Sequence, residues 1–148
     1  MAVTDEQVAA LRAQLQGRSD EHVRWLDHLE ETGATDGYVA LVTGAFFEAA
    51  DRRFLEDDQV AEESEIVEFV AVTRAAHPNV ADDLDPSVAE RVLLHALGKG
   101  SVQGIDGGKV LATQLLLMGA LISEADLNEA ELETFLTKAR GEADAHLD

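Results

Sequence analysis

Carboxylates crowd together in two short stretches of this sequence. Asp57, Asp58, Glu62 and Glu65 place four acids within nine residues, and Glu124, Asp126, Glu129 and Glu131 place four within eight. Oxygen donors at that density, in a turn between helices, suit a hard cation such as Ca²⁺ or Mg²⁺, which gathers about six or more oxygens. Neither stretch is an EF-hand. The alternating acidic ligands, the central glycine and the closing glutamate do not line up. The competing reading is that these acids open helices, where the helix dipole favours negative charge.

Other chemistries find less support. The loop GKGSVQGIDGG, residues 98–108, holds five glycines before an apolar stretch and ends in Gly108-Lys109. Glycines let helix N-terminal amides reach a phosphate. Here, though, Gln103 stands where a P-loop has its first glycine, Val110 replaces the Ser/Thr that holds Mg²⁺, and Asp106 would repel the anion. A connecting loop is the better reading. The five histidines make no metal pattern. His22 and His28 point to different helix faces, Glu142 and His146 lie on the tail, and His95 reads as a core-edge residue. No cysteine is present, so neither thiol catalysis nor a Cys zinc site is available. No catalytic constellation emerges, and the chain is expected not to be an enzyme.

The elements that would position the acids are helical. The chain has 46% hydrophobic residues, enough to exclude general disorder, and only two prolines. Its 148 residues suit one domain. Residues 109–122, KVLATQLLLMGALI, carry no charge after Lys109, so a helix there must be buried on most sides. At that length it is too short for a membrane span, which needs about 20 apolar residues. Thr4 and Gln7 read as a capping box, Ser19 to Glu31 as a second helix, and Gly37 to Leu55 as a third. Gly44 inside the third is tolerable where another helix crosses closely. Glu62 to Ala76 follows, with Ile66, Val67, Phe69 and Val70 expected inward. Asp85-Pro86 opens a helix that stops at Gly98, and Asn128 with Glu131 opens the last. The residues between Pro78 and Asp85 read as a loop. Val-rich residues 39–42 and 66–72 are the only places a strand could hide. The expected fold is a single all-α domain of about seven helices around a buried central helix at 110–122. Residues 1–33 would form N-terminal helices, 37–140 the core, and 141–148 a frayed tail.

Two segments share a plan. Residues 44–70 and 119–136 each run from Gly-Ala in an apolar helix, through an acidic turn and an apolar anchor (Val60 or Leu127), to an amphipathic helix holding Phe69 or Phe135. This reads as a duplicated helical hairpin with an acidic elbow. Across residues 37–140 the arrangement resembles the TerB-like family of tellurite-resistance proteins. Glu124 and Asp57 stand where that family has its elbow Asp, while Ala125 and Asp58 replace its Gly. Glu131 matches the closing Glu, and Glu65 lies one residue late. The resemblance implies an all-helical, cytoplasmic, non-catalytic protein of metal or oxyanion stress, with a divalent cation held at Asp57, Asp58, Glu62, Glu65, Glu124, Asp126 and Glu131.

Charge offers a different function. Thirty acids against eleven Lys and Arg give a net charge of −19. Such a surface repels nucleic acid and anionic lipid, so neither nucleic-acid binding nor membrane insertion is expected. It attracts basic proteins. The alternative is therefore an acidic interaction module that neutralises a basic partner, such as a toxin or a nucleic-acid-binding protein. The opening residues MAVTDEQ lack a basic segment followed by an apolar run, so no signal peptide is expected and the cytoplasm is the expected location.

Overall fold

A computed structural model describes residues 2–147. Among these the chain forms eight helices and one two-stranded hairpin: α1 Asp5–Leu15, α2 Ser19–Glu31, α3 Thr35–Phe54, β1 Leu55–Glu56, β2 Gln59–Val60, α4 Glu63–Ala76, α5 Pro78–Ala81, α6 Pro86–Ala96, α7 Gly107–Ala125 and α8 Glu129–Leu147. It is an all-α bundle.

Helix boundaries follow local chemistry. Thr4 Oγ1 accepts from the Gln7 amide at 3.2 Å, and Gln7 Oε1 accepts from the Thr4 amide at 2.8 Å. Asn128 and Glu131 repeat this reciprocal cap on α8, at 2.8 and 3.0 Å. Asp85 caps α6 ahead of Pro86. Gly17, Gly33 and Gly98 close α1, α2 and α6 with φ near +75°.

The axis of the bundle is α3, which touches α1, α2, α6, α7 and α8. Tyr38, Leu41, Val42, Ala45, Phe46 and Ala50 lie buried along it. The apolar rod at 110–122 is a core element of a different kind. Thr113, Gln114, Leu117, Met118, Leu121 and Ile122 are buried, Ala112 is exposed, and the rest are half-buried. It is also longer than its apolar run, because Gly107, Gly108 and Ser123–Ala125 join the helix. At 19 residues it is, by length and composition, apolar enough to cross a membrane, although here its buried side packs on α3 and α6.

Gly44 marks a close crossing of α3 and α8. A Cβ there would lie 3.2 Å from the Ala139 carbonyl oxygen and 3.5 Å from the Ala143 amide nitrogen. The small residues Ala139 and Ala143 let α8 approach α3, and α8 in turn buries Leu132, Phe135 and Leu136. The two segments sharing a sequence plan do not share a packing plan. Instead of folding each hairpin back on itself, α3 packs chiefly on α8 and α7, and α4 packs chiefly on α6.

Several expectations need correction. The tail is helical through Leu147, and Ala143 is buried; residue 148 lies outside the described residues. Tertiary bonds hold this end: the Val3 amide donates to Asp144 Oδ1 at 2.6 Å, and Arg140 donates to the Val3 carbonyl at 2.7 Å. Part of the presumed loop before Asp85 is the short helix α5, whose Ala81 carbonyl, with that of Leu84, accepts from Arg74. Residues 39–42 and 66–72 are helical, and the strands fall at the first elbow instead. Val67, expected inward, is exposed. On α2 the buried position beside Leu29 belongs to His22, whose Nε2 lies 2.8 Å from Tyr38 Oη.

Candidate functional site

The two acidic elbows meet at one end of the bundle. The first leaves α3 through β1, turns at Asp57-Asp58 and returns through β2, with Leu55 paired to Val60 and Glu56 to Gln59. Asp57 and Asp58 both take positive φ, 52° and 64°. Two such residues between antiparallel strands make the turn whose twist matches the strands, and Asp tolerates that backbone better than most residues. Glu62 precedes the first residue of α4 and makes no side-chain cap; Glu65 lies in that helix's first turn. At the second elbow Asp126, with φ 51°, ends α7 in the left-handed conformation, and its amide donates to the Ile122 and Ser123 carbonyls. Glu131 is held in the α8 cap.

Arg53 joins the two. Its Nε donates to Glu124 Oε1 at 2.9 Å, tying the end of α3 to the end of α7. Its guanidinium lies over the Phe54 ring, 4.8 Å from the centroid, and over the adjacent Phe69 ring at 5.8 Å. The ion pair is well exposed, so it contributes on the order of 0–1 kcal/mol and serves mainly to orient the two elbows.

Beside this pair an open groove of ≈ 650 Å³ runs between α4 and α7. From the α4 side Glu65, Glu68, Val72, Ala76 and His77 line it with the buried Phe69 and Thr73, and from α7 Ala120, Ser123 and Glu124 do so. Val72 is 59% exposed. A smaller apolar depression of ≈ 250 Å³, with Leu121 and Leu127 in its lining, shares Arg53 and Glu124 with the groove.

Of the seven predicted site residues, Glu65 and Glu124 line the same groove. Asp57 and Glu62 border an adjacent depression that also shares Arg53 and Glu65. Asp58, Asp126 and Glu131 serve turn and cap geometry. Among the described residues no three His, Asp or Glu side chains are placed to hold a metal ion together. The glycine loop is equally occupied by its own contacts. Asp106 accepts from the Lys109 amide, and Arg91 donates to the Ser101 and Gln103 carbonyls. His95 is exposed, edge-on to Phe47 at 6.0 Å.

Sequence reasoning passed over Arg53, Glu68, Val72 and Ala120. The signal for Arg53 is present: Arg52-Arg53 is the one pair of adjacent cations in a strongly acidic chain. The signal for Val72 is that α4 is apolar on more faces than one neighbour can cover. A second polar cluster also went unseen. Buried Glu48 accepts from Arg52 at 2.9 Å and pairs with Lys138 at 3.1 Å. Burial, then the Glu48 charge, holds the neighbouring Asp51 and Glu142 carboxyls above their usual range. In comparisons with protein-family models, curated proteins and solved structures, nothing matches this chain.

Proposed function

We propose that this protein is a non-catalytic, acidic interaction module that binds a basic protein partner. The observation that carries the reading is the convergence of both carboxylate-bearing elbows on one end of the bundle, beside an open groove with exposed apolar side chains. The net charge of −19 would steer a cationic partner toward it from a distance and make association strongly dependent on ionic strength. A metal site asks more of the same residues. It needs carboxylates turned toward one point, and of these residues Glu131 already has a carboxylate oxygen engaged by the Asn128 amide in the α8 cap.

The test is a capture experiment from native lysate across a salt series, paired with a calcium and magnesium titration of the pure protein. A basic protein retained at low salt and released at high salt supports the module. Saturable cation binding below millimolar at Asp57, Asp58 or Glu124, with no basic protein retained, would replace it with the cation-binding, TerB-like stress role.

A further inference from the structure

Helix α4 is covered on one side only. Ile66, Phe69 and Val70 are buried, yet Val67, Ala71, Val72, Ala75 and Ala76 are exposed. A helix apolar on most of its circumference is ordinarily enclosed. One exposed strip of it, Val72 and Ala76, faces half-buried Ala120 of α7 across the groove. Glu65 and Glu68 continue that strip toward the start of α4, Glu124 stands on α7, Arg53 is already paired to Glu124, and His77 lines the far end beyond Ala76. The groove thus runs from acidic side chains near Arg53 into an apolar stretch at Val72, Ala76 and Ala120. A second copy of this chain is a poor occupant, because it would bring another net charge of −19 against the same acidic residues.

We propose that the α4–α7 groove is the docking site for an amphipathic helix of the basic partner, with apolar side chains on Val72, Ala76 and Ala120 and its Lys or Arg residues on Glu65 and Glu68. This rests on the interaction-module reading and goes beyond it by naming the surface and the form of the ligand. Helix-in-groove recognition draws affinity from the apolar anchors and selects partner and orientation through the charges. Binding at the groove therefore depends on Val72 as well as on charge, which separates it from adhesion to an acidic surface.

The experiment uses the full chain and two synthetic probes of identical leucine and lysine content: an amphipathic helix, and a version broken by prolines. Binding is measured by titration, and the contact surface by amide shift perturbation. The helical probe should bind with shifts concentrated on α4 and α7, and the proline version should bind much more weakly. Val72→Asp removes an apolar contact while adding negative charge. It should weaken the helical probe roughly fivefold to tenfold, the scale of one buried valine. Ala76→Asp, at an exposed position, should act in the same direction, and far-UV circular dichroism checks that both variants fold. Binding that is unchanged or tighter in Val72→Asp, equal binding of both probes, or shifts spread over other acidic faces would remove the groove while leaving the acidic module in place. If neither probe binds even at low ionic strength, the module reading falls and the groove with it.

Discussion

Gly44→Ala and Gly119→Ala make a matched pair, because both glycines lie inside long helices and each is followed by alanine. Replacing an interior helical glycine by alanine stabilises by about 1 kcal/mol, much of it by restricting the unfolded chain. At Gly119 a Cβ meets nothing within 4 Å, so the full gain should appear. For a domain near 150 residues that is a rise in Tm of roughly 2–4 °C. At Gly44 the added Cβ would sit 3.2 Å from the Ala139 oxygen, 3.5 Å from the Ala143 nitrogen and 3.7 Å from the Ala143 Cβ. The two nearest atoms are backbone, so no rotamer change relieves them. Helices α3 and α8 must move apart by a few tenths of an ångström along their whole crossing. Overpacking of this kind costs about 1–3 kcal/mol, which cancels or reverses the propensity gain. Urea unfolding followed by circular dichroism should place Gly119→Ala above wild type and Gly44→Ala at or below it. Ala143→Gly in the Gly44→Ala background should fail to restore stability, because it leaves the backbone contacts in place. If Gly44→Ala gains as much as Gly119→Ala, the close crossing inferred for α3 and α8 is wrong.

The other predictions concern the first elbow and the buried titratable groups. Asp58→Gly should raise stability by roughly 1 kcal/mol, because glycine takes the left-handed backbone without penalty; an unchanged Cm would contradict the turn. Burial holds the His22 imidazole below its usual pKa, so the unfolded chain takes the proton first. Stability is therefore complete above about pH 6.5 and falls on acidification below it, and His22→Gln should flatten that part of the pH–stability curve. Asp51 and Glu142 work in the opposite sense. Their raised carboxyls keep protons that the unfolded chain has lost, so their contribution declines as pH rises from about 4 through the raised values. Glu48→Gln removes a charge that helps raise both, and NMR titration should find both moved down; no movement would mean that the Glu48 charge is not a cause.

Much of the helical plan was readable because the signals are local. The Thr4–Gln7 and Asn128–Glu131 caps, the Asp85-Pro86 start and the stops at Gly17, Gly33 and Gly98 involve neighbours in sequence, so their geometry follows from spacing alone. The tail was misread for the complementary reason. Its order comes from Val3 and Arg140, residues remote from one another in sequence. The hairpin at Leu55–Val60 escaped notice because two aspartates, not the usual Asn-Gly, take the positive φ of its turn. Glu48, buried in a chain full of solvated glutamates, is distinguished only by where α8 places Lys138.

By itself the sequence determined that this chain forms an all-helical bundle, where most of its helices begin and end, and that two acidic corners join them. Hydrophobic periodicity and capping act over three or four residues, so they need no knowledge of the fold. The tertiary structure alone decided that α3 is the axis, that Arg53 draws the two corners together, and that α4 keeps an uncovered face beside α7. Those outcomes depend on which of several similar apolar faces pack against one another, and burial free energy scales with area removed from water without naming the partner surface.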